Sequence, residues 1–352
     1  MSNAPVCDVI MLAWNKRETT QRCVESYLLH TQLPTRLILI DNASTDDTAA
    51  YFASLKSTPF CEVLTIINVE NLGFVRGMNQ GITLSSAPYV CLANNDLLFT
   101  DGWLEEILAV FAKYPQIGLL NPNSNNLGAR IPDGLSLEAY AAQLQAINTG
   151  SFVEMPDCVG FCMCVPRKIV KEVGSLSEEF QPMFFEDTDY SKRISRAGYL
   201  IGMARGAYVW HKEHVSMKQL SDNGESVFMK SRSVFQKKWG QVSRVLYVTP
   251  SRRVEPDELD ACIALARKGY YVTIASSQLP DPPGLPFKQY DRLVHYGISF
   301  FRYRYMPQLL LRAIFKKKKY HAVVAAPSSW NVFFKLANLR VTEPGEALNG
   351  LR

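Results

Sequence analysis

Four features of the chain carry residue types that do chemistry: Asp41, the run Asn94-Asn95-Asp96, the cluster Glu186-Asp187-Thr188-Asp189, and His211. Carboxylates and an imidazole are ligands for a divalent cation, and a carboxylate within reach of a hydroxyl acts as a general base. Each feature alone reads as ordinary structure. An acid at a strand end is turn chemistry, acids in a first helical turn answer the helix dipole, and a single histidine is most often structural. Their order along the chain, and the segments that end at them, give the combination its meaning.

Those segments alternate strand and helix. Residues 6–13 form a near-continuous apolar run, as expected of a parallel strand covered on both faces, and Trp14-Asn15-Lys16 leaves its end. A helix over 18–30 follows, then a strand over 37–40 that ends in Asp41-Asn42. Ser44-Thr45-Asp46-Asp47 has capping-box spacing and starts a helix through residue 55. A strand over 63–67 leads to a glycine-spaced segment, 71–82, and then to the apolar strand 89–93, which stops at Asn94-Asn95-Asp96. The period implies a parallel sheet with crossover helices, whose ligands gather outside the carboxyl ends of the strands. Residues 101–114 read as an amphipathic helix, and 121–157 as an irregular stretch suited to a loop over the site. A strand over 158–165, a short helix over 166–173, a helix opened by Phe185-Glu186-Asp187-Thr188-Asp189, and short strands over 199–204 and 207–210 complete this part, the last ending in His211.

The strand and helix pattern restarts near residue 245, after a first domain over 5–240. The second unit, 245–345, holds about four strands, a Pro-rich linker over 278–286 and a basic amphipathic helix over 306–319. It reads as a smaller, truncated Rossmann-like α/β unit.

The first 240 or so residues resemble a family 2 glycosyltransferase of the GT-A fold, and in particular its bacterial rhamnosyltransferase-like members. The residues that carry the resemblance are 9–15, Ile40-Asp41-Asn42-Ala43-Ser44-Thr45-Asp46, Asn71-Leu72-Gly73-Phe74 with Gly77, Asn79 and Gly81, Asn94-Asn95-Asp96, Phe185-Glu186-Asp187-Thr188-Asp189 with Arg193, Arg196, Ala197 and Gly198, and His211. The second unit faintly resembles half of a GT-B domain. The resemblance implies an α/β fold with a mixed, mostly parallel sheet flanked by helices.

It also implies roles. Asp41 would pair with the base of a nucleotide diphosphate sugar, and Ala13, Asn15, Arg76 and Asn79 would line the same pocket. Asn94-Asn95-Asp96 stands where the family has Asp-x-Asp, so Asp96 is the principal anionic ligand of a divalent metal, Mn2+ or Mg2+. His211 would complete the metal site or contact the diphosphate. Asp187 matches the family's proposed catalytic base, with Glu186 and Asp189 as alternatives, because neighbouring helical positions point in different directions. Attack opposite the diphosphate would invert the anomeric centre. The implied reaction moves a sugar from dTDP-rhamnose or a UDP-sugar to a hydroxyl of a saccharide, free or lipid-linked, in bacterial surface polysaccharide synthesis. The alternative is a non-catalytic nucleotide-sugar-binding or scaffolding module of a multidomain assembly protein.

Composition sets the outer bounds. The chain has 352 residues, 47% hydrophobic and 20% charged, which suits two globular domains. A net charge of +5 argues against dedicated nucleic-acid binding and suits an anionic small substrate. The eight cysteines lie mostly in apolar runs, as reduced buried thiols do, and Cys158, Cys162 and Cys164 form one cluster that reads as part of a packed strand. No apolar run reaches the length of a bilayer span and no secretory signal is evident. The expected location is cytoplasmic, peripheral at the inner face of the membrane through the basic helix, in company with further glycosyltransferase domains.

Overall fold

The computed structural model describes residues 4–127, 129–212, 224–240, 243–249, 254–278, 297–315, 319–324, 331–336 and 340–342. The Pro-rich stretch from residue 279, Lys316–Lys318 and the end of the chain lie outside them. The chain divides into two compact units, residues 1–153 with 157–239, and 154–156 with 240–352.

The first unit runs β1 (Cys7–Ala13), α1 (Arg17–His30), β2 (Thr35–Asp41), α2 (Thr48–Ser54), β3 (Cys61–Ile67), α3 (Gly73–Leu84), β4 (Tyr89–Ala93), β5 (Leu97–Phe99), α4 (Trp103–Lys113) and β6 (Ile117–Asn123). It continues through α5 (Leu137–Asn148), β7 (Phe152–Glu154), β8 (Cys162–Pro166), α6 (Arg167–Val173), α7 (Glu186–Arg196), β9 (Leu200–His211) and α8 (Gly224–Trp239). The sheet order is β3-β2-β1-β4-β8-β6-β9-β5, with β7 beside β9. Strands β1 to β4 are mutually parallel, β8 runs against β4 and β6, β9 is parallel to β6, and β5 runs against β9. The carboxyl ends of β1, β2, β4, β6 and β9 therefore share one edge with the start of β8. This is a mixed and mostly parallel sheet flanked by helices, as the resemblance implies.

Period-two alternation explains why the strands read as continuous apolar runs. Val9, Met11, Leu37, Leu39, Cys91, Ala93, Cys162 and Cys164 face one layer, with Tyr27 of α1 and Trp103, Ile107 and Val110 of α4. Ile10, Ile38, Ile40, Val90, Leu92, Met163 and Val165 face the other, against Val75 and Met78 of α3, Tyr190 and Ile194 of α7 and Phe235 of α8. The glycine-spaced segment is helix α3, and its glycines set how closely it approaches β1. A Cβ at Gly77 would lie 2.6 Å from Leu12 Cδ1, and one at Gly81 would run into Ile10.

Three expectations change. Residues 121–157 are not one loop, since they contain the end of β6, helix α5 and β7. The two strands expected over 199–210 are one, β9. The strand expected from residue 158 starts at Cys162, because the amides before it are bound by side chains instead of a ladder. Cys158 N–H donates to Ser191 Oγ at 2.9 Å, Val159 N–H to Asn121 Oδ1 at 2.8 Å and Gly160 N–H to Asp187 Oδ2 at 2.9 Å. Cys158 consequently parts from its sequence neighbours. Its thiol donates to the Gly202 carbonyl at 3.3 Å, while Cys162 and Cys164 join Cys91 on the opposite face.

The second unit runs β10 (Arg244–Val248), α9 (Pro256–Arg267), β11 (Tyr271–Ser276), β12 (Ile298–Arg302), α10 (Met306–Phe315), β13 (Ala322–Val324), α11 (Asn331–Leu336) and β14 (Arg340–Thr342). Its sheet is wholly parallel in the order β12-β11-β10-β13-β14. Among its described residues it has five strands, not about four; β14 is only three residues long and leaves little trace in the sequence. Among the described residues no helix is long and apolar enough to cross a membrane.

Candidate active site

The parallel register brings the strand-end residues level. Ala13 pairs with Asp41 across β1 and β2, and Met11 with Ala93, the last residue of β4, across β1 and β4. Asp41 is 1% exposed. Its Oδ2 accepts the Ser44 N–H at 3.2 Å, whereas Oδ1 is buried without a hydrogen-bond partner. Asn15 closes the same corner. Its N–H donates to Ser44 Oγ at 2.7 Å, and its Oδ1 accepts the Thr45 N–H at 2.8 Å.

The backbone is strained around this edge. Among the described residues, the non-glycine positions with positive φ are Asn15, Lys16, Ala43, Phe184 and Phe185. They lie in the loops after β1 and β2 and just before α7, each a connection that presents a candidate residue. Left-handed backbone at such positions costs about 1–3 kcal/mol each and persists where surrounding structure imposes it.

Beyond β4, Asn94 is anchored by its N–H to the Phe161 carbonyl at 2.8 Å, and Asn95 Nδ2 donates to Thr20 Oγ1 at 2.8 Å. Asp96 is 6% exposed, and its Oδ1 lies 3.1 Å from His211 Nε2 without the alignment of a hydrogen bond. The β5–β9 pairing sets Leu97 opposite His211. The imidazole stacks on Phe161 at 5.4 Å between centroids, and its Nδ1 meets the Asn126 side-chain amide. Lys16 and Lys212 bear on the same place. Burial lowers the Lys16 ammonium below its ordinary value, with Asp96 pulling it up and Lys212 pushing it down.

The acids of α7 take three different positions. Asp189 is fully buried and spent on structure, accepting from Arg193 Nε at 2.8 Å, Trp239 Nε1 at 2.9 Å and Lys238 Nζ at 3.0 Å. Asp187 accepts the Gly160 N–H on Oδ2, and the Thr188 N–H at 2.7 Å and hydroxyl at 3.2 Å on Oδ1. Burial raises it and these donors pull it back. Three donors on four lone-pair sites leave Asp187 room for one more proton donor. Glu186 is 8% exposed with Oε2 unpartnered, and burial together with the neighbouring Asp187 charge pushes it up to about 8. Asp157, before β8, is raised to about 6 by burial, opposed by Lys192 and reinforced by Asp187, and its Oδ1 has no partner.

Two residues expected at the nucleotide pocket have partners within the chain. Asn79 clamps the Leu176 backbone, donating to its carbonyl at 2.9 Å and accepting its N–H at 3.1 Å. Arg76 pairs with Glu178 at 2.9 Å on an exposed surface. Both tie α3 to the 176–180 segment. Asn71 is likewise structural, its Oδ1 accepting from Asn42 Nδ2 and the Gly73 N–H, each at 2.8 Å. Sequence reasoning missed Asp157, Asn126, Lys16 and Lys212. Lys16 and Lys212 adjoin Asn15 and His211 in sequence, a signal that was present; Asp157 gives none, because its neighbours Gly160, Asp187 and Lys192 are distant or unremarkable in sequence.

The family model for Glycosyl transferase family 2 matches residues 8–174. Residues 8–174 of the first unit thus match family 2 glycosyltransferases, and a glycosyltransferase is the class of enzyme that this match and the relatives below support. The chain is similar to an N-acetylglucosaminyl-diphospho-decaprenol L-rhamnosyltransferase of Mycobacterium tuberculosis, 25% identical over 243 residues, which cover 58% of this chain and 76% of that one. An uncharacterized glycosyltransferase of Haemophilus influenzae is 26% identical over 117 residues, 33% of this chain and 36% of the relative. Among solved structures, a Pyrobaculum calidifontis mannosyltransferase in complex with GDP-Man and Mn2+ aligns with a TM-score of 0.48 at 14% identity, over 62% of this chain and 60% of that one.

Proposed function

We propose that the first unit transfers a sugar, with inversion, from a nucleoside diphosphate sugar to a hydroxyl of a saccharide acceptor in bacterial surface glycan synthesis. dTDP-rhamnose or a UDP-sugar is the donor, and a lipid-linked N-acetylglucosaminyl saccharide is the acceptor class suggested by the mycobacterial relative's name. The observation that carries the reading is the convergence on one sheet edge of three acids with separate environments: Asp41 at β2, Asp96 beyond β4 and Asp187 at the start of α7.

Asp41 offers an unpartnered buried carboxylate oxygen, which accepts the N–H of a uracil, thymine or guanine base. Ala13, with no side chain to obstruct, and Asn15 form the wall beside it. The leaving diphosphate needs its charge met at the Asp96 end, where Lys16, Lys212 and His211 gather. Asp187 takes the proton of the acceptor hydroxyl, and the α7 amino end with its three donors keeps that carboxylate charged.

The donor set of Asp96 and His211 fits a divalent cation. Asp96 Oδ1 is a buried carboxylate oxygen without a hydrogen bond, and His211 Nε2 lies 3.1 Å from it, while His211 Nδ1 is engaged by the Asn126 amide nitrogen. An imidazole suits Mn2+ better than Mg2+, and Asp96 and His211 are the residues that would hold the ion. Such an ion, when bound, neutralises the leaving group.

The test is turnover of dTDP-rhamnose with a short-chain prenyl diphospho-N-acetylglucosamine. Asp187→Asn is expected to lose about 100-fold or more in turnover while binding the donor unchanged. Unchanged turnover would remove Asp187 from the base position.

A further inference from the structure

Glu186 and Asp187 are adjacent carboxyl groups in a dry place, and two such neighbours cannot both hold a charge cheaply. Their surroundings decide which one does. Asp187 collects three donors from Gly160 and Thr188. Glu186 Oε2 is buried and has none. The neighbouring backbone N–H groups of Phe184 and Glu186 lean toward the Glu186 carboxyl but do not overcome its burial. Asp187 is the charged group that bears on Glu186 along α7. In the segment before β8, Asp157 interacts with Asp187 and with Lys192, while Glu186 itself feels Asp187 and the two backbone N–H groups.

We infer that Glu186 takes part as a neutral acid, its Oε2–H donating to the acceptor saccharide beside the hydroxyl whose proton Asp187 removes. The inference rests on the glycosyltransferase reading for its substrate and on the geometry alone for its proton. An unpartnered, nine-tenths buried O–H next to the base finds its partner when a polyhydroxylated ligand arrives. Splitting a carboxylate pair into one base and one hydrogen-bond donor gives each a separate task, as environments that push two acids apart do. The rise of the Glu186 carboxyl to about 8, caused first by burial, agrees in direction.

Two measurements on the full chain test it. The first is the infrared difference spectrum between wild type and Glu186→Gln. A protonated-carboxyl band is expected at about pH 7, fading as pH rises through about 8; an ionised carboxylate at about pH 7 would overturn the inference. Thermal unfolding reads the same proton. With the folded-state value raised above the ordinary 4.5, wild type keeps its stability below about 4.5 and loses it as pH rises through about 8, so Glu186→Gln should gain on wild type across that window. A pH-independent difference would contradict it.

The second measurement is acceptor kinetics with dTDP-rhamnose and a short-chain prenyl diphospho-N-acetylglucosamine. Glu186→Gln retains an N–H donor and is expected to keep its acceptor KM above about pH 8, where the wild-type KM rises. Glu186→Leu is expected to raise KM about tenfold at any pH. Equal KM values for Gln and Leu would overturn the acceptor contact. If wild type does not turn this pair over, the substrate reading fails, while the infrared band still decides the proton on Glu186.

Discussion

Asp189 shows how one acidic cluster can hold unlike roles. Two residues beyond Asp187 on the same helix, it faces the opposite way and binds Arg193, Lys238 and the Trp239 indole. Removing one partner of a buried pair strands the other, so Asp189→Ala is expected to lower unfolding stability by about 3 kcal/mol, read in a urea titration. A loss under about 1 kcal/mol would mean that solvent already screens the group. Asp157 makes a pH prediction. Its value is raised from 3.8 to about 6, so its contribution is whole below about 3.8 and is lost as pH rises through about 6. Asp157→Asn should match wild type in Tm at about pH 4 and exceed it at about pH 7; a constant offset would contradict this. The acids themselves were legible in the sequence, because strand ends and a helix start mark them. Their division of labour was not, since it depends on donors such as the Gly160 amide that only folding brings near.

Helix α3 carries the same lesson at the scale of an element. Its glycine spacing stood out in the sequence as part of the family resemblance, and in the fold Gly77 and Gly81 face the sheet and let the helix lie against Leu12 and Ile10. Gly81→Ala places a methyl against Ile10 and is expected to cost about 1–3 kcal/mol, measured by denaturant unfolding, by forcing α3 off β1. A neutral or stabilising result would show that α3 can shift without strain. Strands with both faces covered were read correctly from their apolar runs. The beginning of β8 was misplaced, because side chains of Asn121, Ser191 and Asp187 take the amides of residues 158–160. Such capture across a sheet has no local signature in the sequence. Helix α5 and strand β7 were likewise misread as loop, because β7 is only three residues long and α5 has a weakly patterned, largely exposed surface.

Across the molecule, the order of motifs along the chain becomes an arrangement along one edge of a sheet. Asp41, Asp96, His211 and Asp187 come from β2, the ends of β4 and β9, and α7, and parallel strand direction is what brings them to the same side. The family was legible because that order is itself a pattern; the donor was not, because base and sugar are read by surfaces that no single motif fixes. The most direct test of the central claim is a thermal-shift titration of the whole chain with UDP, dTDP, GDP and CMP, each with manganese and with chelator. One nucleotide at about 100 times its Kd should raise the first transition by about 5 °C or more, with a metal-dependent part that Asp96→Ala removes. If no nucleotide moves the transition under any condition, the chain does not hold a nucleotide-sugar donor as described.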